Sequence, residues 1–269
     1  MRLLIGSPIH ERDEITKCYF RHLRSLDLTG VEVSWCFVLD RPPQTLRGRP
    51  LPSLECTSII EVFDGCDGYT RQWDWENGNQ HFRRMAFLRN LLRERALMEQ
   101  VDALISIDSD ICVPPDLVQK LAAAGKPWVS ALVDNSALLN KGEADPELKR
   151  MRGERPDYMG KSSIWNVMKF IFNIHDETQT PIPAHYNAVK GELDFERGDD
   201  CDLAGAVCLY SRELLEKCRF AWAKQGEDIG FGLAAREAGY RASYLPIVCD
   251  HLMTPARLAA HKARCDLCR

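Results

Sequence analysis

Ile105-Ser106-Ile107-Asp108-Ser109-Asp110, running on into Pro114-Pro115, reads as a buried strand that breaks off into two carboxylates one residue apart. β-branched and aliphatic residues in succession favour an interior strand. Two acids at its exit repel each other unless a cation lies between them. A hard divalent ion, Mn²⁺ or Mg²⁺, is the simplest such cation, and it is usually held by one or two carboxylates with substrate phosphates completing its shell. The same Asp-x-Asp pattern also suits the N-cap of a following helix, where acids favour the helix dipole. The rest of the chain decides between the two.

Outward from this stretch, strands alternate with helices. Arg2 to Gly6 predicts a short buried strand and Ser7-Pro8-Ile9-His10 the loop that leaves it. Ile15, Tyr19, Phe20 and Leu23 share one face of a helix predicted over 13–26. A second strand at 31–39 ends at Asp40-Arg41-Pro42-Pro43, and a third is expected over 58–63. Met85, Leu88, Leu92, Ala96 and Leu97 then mark a helix over 82–99 leading into the quoted strand. Its row of Arg83, Arg84, Arg89, Arg93 and Arg95 reads equally well as a solvated face. Beyond the prolines come a helix over 116–124 and a strand over 127–133. A single apolar strand is expected over 201–210, carrying Gly205 where a side chain would obstruct a neighbour. Such alternation implies an α/β fold, a mainly parallel sheet with helices on both faces, whose ligands bind outside the carboxyl ends of the strands. Asp40 and the Asp108/Asp110 pair therefore fall on one rim.

Gln225-Gly226-Glu227-Asp228-Ile229-Gly230 starts a further helix, and acids in its first turn are favoured by the dipole whether or not they do chemistry. A carboxylate mounted there also suits a general base. The closing strand, 242–248, runs into Asp250-His251, which places an imidazole on the same rim as the first acid pair.

Composition bounds the rest. With 269 residues, 45% hydrophobic and 28% charged, the chain is long enough to bury a sizeable core, and one domain is expected over 1–269. Its sections are a half over 1–135, an insertion or lid over 140–200, a second half over 201–253 and a tail over 254–269. A formal charge of −4 argues against the basic field that nonspecific duplex binding uses. The opening residues lack a secretory apolar core and no stretch reaches membrane-spanning length, so a cytoplasmic location is expected. The eleven cysteines are scattered and read as reduced thiols, including the Cys265/Cys268 pair at a frayed end.

Taken together, the Ser7-Pro8 loop, Asp40, Arg89-Asn90, Asp108-Ser109-Asp110, the Gly205-Ala206 strand, Gly226-Glu227-Asp228 and Asp250-His251 resemble, in this order, a GT-A fold glycosyltransferase of the family 2 type. Arg89-Asn90-Leu91 is similar to fungal mannosyltransferases of the Anp1 kind. The resemblance spans roughly 2–253 and is weakest over 140–200. It implies a Rossmann-like fold and a UDP- or GDP-linked sugar donor, bound by the 1–135 half. Pro8 and Ile9 would pack on the base, Asp40 would contact base or ribose, and Arg84, Arg89, Asn90, Asp108 and Ser109 would face the donor. Asp108, Asp110 and His251 would hold Mn²⁺ or Mg²⁺, with Asp110 the direct ligand. Asp228, or failing it Glu227, would take the acceptor's proton in an inverting displacement. The acceptor, whether a carbohydrate, a protein or a modified nucleobase, is expected at Trp165, Asn166 and Gly205, with Tyr158 and Tyr186 nearby. Two other classes fit the same rim. A sugar-phosphate nucleotidyltransferase would normally carry a glycine-rich basic loop where Gly6-Ser7-Pro8-Ile9-His10-Glu11 stands, and a catalytically silent scaffold would have no need of these acids.

Overall fold

In the computed structural model of this chain the described residues are 1–9, 13–40, 57–62, 79–134, 164, 166–172, 181–185, 197–223, 226–252 and 255–268. Its strands are β1 (Arg2–Ile9), β2 (Glu32–Asp40), β3 (Thr57–Val62), β4 (Ala103–Ile107), β5 (Ile111–Cys112), β6 (Trp128–Asp134), β7 (Val167–Phe172), β8 (Pro181–His185), β9 (Asp199–Cys201), β10 (Leu203–Ala204), β11 (Val207–Ser211) and β12 (Ala242–His251). The helices are α1 (Asp13–Arg24), α2 (Asn79–Met98), α3 (Leu117–Ala123), α4 (Arg212–Lys217), α5 (Glu227–Glu237) and α6 (Pro255–Arg264).

The main sheet has the order β3-β2-β1-β4-β11-β6-β12-β5, with β9 added beside β12. β1, β2, β3 and β4 run parallel, as do β6 and β12, and β11 enters antiparallel between β4 and β6. The parallel strands therefore bring their carboxyl ends to one edge. All five residues of β4 are buried, as a central strand covered on both faces requires. On one face Leu88 and Leu92 of α2, Leu214 and Leu215 of α4 and Phe231 of α5 close the core. Tyr19, Phe20 and Leu23 of α1 join Leu117, Val118 and Leu121 of α3 on the other. The expected architecture, an α/β layer structure with a mainly parallel sheet, is the one observed.

Several boundaries differ from the sequence expectation, each for a local reason. β1 continues through Ser7-Pro8-Ile9 instead of ending in a loop, pairing Pro8 with Val38 and Ile9 with Leu39. Pro8 lies beyond the Leu3–Gly6 stretch that pairs with β4, so its missing N–H removes no bond on that side. The single strand expected over 201–210 is broken into β9, β10 and β11. Gly205 is held by Asn166 on both its N–H and its C=O, and Ala206 takes a positive φ of 65°. β12 runs on to His251 because β5 returns against it, pairing Ile111 with His251 and Cys112 with Asp250. Within the expected insertion, β7 and β8 pair antiparallel and join β10, which follows it, in a small sheet of order β10-β7-β8. The tail is not frayed: α6 and a 3-10 turn at Asp266–Cys268 pack back onto α1, leaving Cys268 3% exposed. No helix among the described residues is long and apolar enough to cross a membrane.

Candidate active site

The acid pair is built on a fixed strand exit. Tyr19 on α1 donates to the carbonyl of Ile107, the last residue of β4, at 3.1 Å and shares a 2.9 Å hydrogen bond with Ser7. Just past it, the Asp108 N–H donates to Ala206 O at 2.8 Å, and the Ile111 N–H closes a turn onto Asp108 O at 3.0 Å. Leu252 N–H donates to Asp110 O at 2.8 Å, binding the turn to the end of β12. The helix that follows starts only at Leu117, with Asp116 at its N-cap position, so neither Asp108 nor Asp110 caps it.

His251 meets this turn. Its Nε2 lies 2.7 Å from Asp110 Oδ2, with both side chains largely shielded from solvent. Burial alone raises the proton affinity of Asp110, but the charge and hydrogen bond of His251 together outweigh it and hold the carboxyl below its ordinary range. An imidazole and a carboxylate from opposite ends of the sequence thus share one point on the rim.

Behind them stands Arg89, and here the alternative of a solvated arginine face does not hold for Arg84, Arg89 and Arg93. Arg89 is 2% exposed, and Arg84 and Arg93 are also buried. Arg89 lies at helical spacing from Met85, Leu92 and Ala96, so the face of α2 that covers the sheet includes it. Its Nη2 donates to both oxygens of Asp108 at 2.9 and 3.1 Å, its Nε to Glu227 at 2.9 Å and its Nη1 to Ser106 Oγ at 3.3 Å. Asp228 Oδ1 is 3.9 Å from the same Nε. Burial opposes the charge of Arg89, but Asp108, Asp228 and Glu227 outweigh it and keep the guanidinium cationic. The helix-start acids and the strand-exit acid are thereby joined through one cation, an arrangement the sequence signalled only by placing an arginine on an apolar stripe.

Asp228 occupies the tightest position. A Cβ on Gly205 would sit 2.2 Å from Asp228 Oδ2, so only glycine leaves room for the carboxyl. A Cβ on Gly230 would likewise lie 2.0 Å from Ala221 O, which lets the first turn of α5 press against the 218–222 backbone. That backbone is clamped from α2, where Asn90 exchanges two hydrogen bonds with Phe220 and Arg93 donates to Cys218 O. Asp228 Oδ1 is buried without a hydrogen-bond partner among the described residues. Burial, then the negative charges of Glu227 and Asp108, pushes the Asp228 carboxyl up to about 8 against the pull of Arg89. Asp108 is raised to about 6, chiefly by burial, with Arg89 holding it down. Carboxyls displaced toward neutrality are suited to proton transfer.

The remaining candidates fall as follows. Pro8 and Ile9 are buried in β1, Ser109 is buried within the turn, and Asp40 closes β2 opposite Val62 at the same edge. Asn166 is engaged within the fold: its amide donates to Ser130, Ala131 and Gly205 and accepts from Val133 N–H, tying the Gly205 turn to β6. Trp165, Tyr158 and Tyr186 lie outside the described residues. A separate cavity lined by Asp102, Lys126, Arg212 and Tyr240 opens at the opposite, amino-terminal edge of the sheet, away from these acids.

No family model and no curated protein matches the chain. Among solved structures it is similar to Staphylococcus aureus TarS 1–349 in complex with UDP-GlcNAc, at 13% identity over 97% of this chain with a TM-score of 0.50. The chain spans 61% of that structure's length. It is also similar to CMP:2-keto-3-deoxy-manno-octonic acid synthetase complexed with CTP, at 13% identity over 98% of each chain and a TM-score of 0.45. A mycobacterial protein matches at 15% identity over 96% of this chain and 70% of the other, with a TM-score of 0.47. The likeness to TarS is one of fold. Nothing in these comparisons supports the likeness to Anp1-kind mannosyltransferases, and Asn90 of the Arg89-Asn90-Leu91 stretch is a clamp on Phe220.

Proposed function

We propose that this protein is a metal-dependent glycosyltransferase that moves a sugar from a UDP- or GDP-linked donor to an acceptor hydroxyl. The observation that supports it is the convergence, at the carboxyl edge of the parallel strands, of Asp110 with His251 at 2.7 Å beside the Arg89-linked acids Asp108, Glu227 and Asp228. Asp110 and His251, one carboxylate and one imidazole, are ligand types that suit a divalent ion such as Mn²⁺ or Mg²⁺, whose shell donor phosphates would complete. Such an ion, when bound, offsets the negative charge that develops on a departing diphosphate.

The chain's own residues do the rest. Arg89 holds Asp108 and Glu227 in place, leaving Asp228, whose Oδ1 is buried without a hydrogen-bond partner among the described residues, as the carboxyl with an unsatisfied oxygen. In its ionised form Asp228 takes the proton of the acceptor hydroxyl as that oxygen bonds to sugar C1. The C1–O bond to the diphosphate breaks on the opposite side, and its electron pair leaves with the nucleoside diphosphate. This is an inverting displacement, with Glu227 positioning Asp228 through Arg89.

The test is release of free nucleoside diphosphate from a panel of nucleotide sugars, with Mn²⁺, Mg²⁺ or chelator present. Release that depends on the metal and is lost in Asp228→Asn supports the proposal. Pyrophosphate released from a nucleoside triphosphate and a sugar phosphate would replace it with nucleotidyl transfer, and no turnover with any donor would leave a silent binding protein.

A further inference from the structure

Beside Asp250, four side chains from two places in the sequence, position 22 and the stretch 261–268, come together at one spot. His22 of α1, His261 of α6, Cys265 and Cys268 each offer a ligand atom, and these atoms lie within 4.8 Å of one another. His22 Nε2 is 3.1 Å from His261 Nε2, and Cys265 Sγ is 3.4 Å from His22 Nε2. Tetrahedral zinc with two nitrogen and two sulfur ligands at about 2.0–2.3 Å places its ligand atoms about 3.3–3.8 Å apart. The 3.4 Å separation falls in this range, the 3.1 Å one just short of it, and the other pairs lie within 4.8 Å, so a small movement of the side chains closes a shell of this size. His22, His261 and Cys268 are 7%, 4% and 3% exposed, and Ile15, Cys18, Cys112 and Leu252 pack with Cys268 in one apolar cluster.

The second ring nitrogens decide what the gap holds. His22 Nδ1 lies 2.8 Å from the carbonyl of Val113, which can only accept, so this nitrogen carries the proton. His261 Nδ1 lies 2.8 Å from Asp250 Oδ2, a carboxylate, and carries its proton for the same reason. Both Nε2 lone pairs of the neutral rings then face each other at 3.1 Å. Two acceptors at that distance repel unless a cation sits between them. A backbone carbonyl or a carboxylate behind each imidazole is the arrangement that orients metal-bound histidine. Two thiolates neutralise a dication, so a loaded site would bury no net charge, whereas a His–His hydrogen bond would bury an imidazolium.

We propose that His22, His261, Cys265 and Cys268 form a structural zinc site, separate from the candidate active site. Zinc binding releases the two thiol protons and closes a four-coordinate shell with no open position. It staples α1 to α6 and to the 3-10 turn, and through His261 it fixes Asp250, the neighbour of His251. The ion therefore braces the end of β12 from behind while taking no part in chemistry on the rim.

The full-length chain, purified without added metal, is assayed for zinc by elemental analysis and for thiols under denaturing conditions. The expected result is one zinc per chain and loss of that zinc in Cys268→Ser and in His261→Asn, with retention in Cys18→Ser. Replacement by cobalt(II) should give the thiolate charge-transfer and d–d bands of a tetrahedral S₂N₂ site, and chelation should lower the Tm of the unsubstituted chain by at least about 5 °C. A zinc-free chain whose cobalt titration shows no such bands would overturn the proposal, as would a Cys265–Cys268 disulfide in the native protein. Zinc that persists in both Cys268→Ser and His261→Asn would place the ion elsewhere and overturn it equally.

Discussion

Arg89 Nε donates to Glu227 Oε1 at 2.9 Å across 138 residues of sequence, and the same guanidinium grips both oxygens of Asp108. One buried cation therefore joins α2, the exit of β4 and the start of α5. Removing it leaves carboxylates buried without a partner. Arg89→Met is expected to destabilise the fold by about 3–5 kcal/mol, read from denaturant unfolding, and combining it with Glu227→Gln should restore part of that loss. A double variant no more stable than Arg89→Met would show that the acid and the guanidinium do not depend on each other.

Asp228 is expected to oppose stability while serving function. Its folded pKa of about 8 stands above the ordinary 3.8, so between these values the folded chain binds a proton that the unfolded chain does not. Stability therefore falls as pH rises through that window. Asp228→Asn escapes this loss. Its Tm should exceed that of the parent by more than about 2 °C at pH 8, and the gain should shrink as the pH is lowered toward 4. A gain that does not vary with pH would refute the origin assigned to it.

The same group sets a rate profile. If ionised Asp228 accepts the acceptor's proton, kcat/KM should rise with pH along a limb whose midpoint lies at about 8, and the limb should vanish in Asp228→Asn together with most of the activity. Steady-state rates of nucleoside diphosphate release from pH 5 to 9, roughly the span over which side-chain bases titrate, make the measurement. A flat profile would remove Asp228 from the base role.

Gly205 and Asp228 cannot both keep their places if the glycine gains a methyl group, since the added Cβ would lie 2.2 Å from Oδ2. Gly205→Ala should cost about 1–3 kcal/mol of stability and lower kcat far more than it changes donor affinity. Equal turnover in the variant, checked alongside its Tm, would show that the carboxyl is free to move aside without consequence.

His251 and Asp110 are expected to share an ion. His251→Ala should weaken Mn²⁺ binding, followed by electron paramagnetic resonance of the free ion, by at least about tenfold. Unchanged affinity would move the metal away from this pair.

The alternation of apolar strands and amphipathic helices was legible in the chain itself, because β4 and the Tyr19, Phe20, Leu23 face of α1 are patterned by burial alone. So was the rim on which Asp110 and His251 meet, since parallel strands deliver their carboxyl ends to a common edge whatever packs around them, whereas Asp108 turns to Arg89. The obstruction at Gly205 was also anticipated from its strand. What periodicity could not supply was partnership across distance. Whether Arg89 faces water or three carboxylates depends on where α5 docks, and that is set by Gly230 against Ala221 and by the Asn90 clamp on Phe220. Cys265 and Cys268 looked like loose thiols because His22, which completes their cluster with the nearby His261, lies 243 residues from Cys265 in the sequence. Hydrophobic pattern is a local property that the amino-acid order carries by itself, whereas the sign of a buried charge's surroundings is a sum over neighbours that only folding brings within a few ångströms of one another.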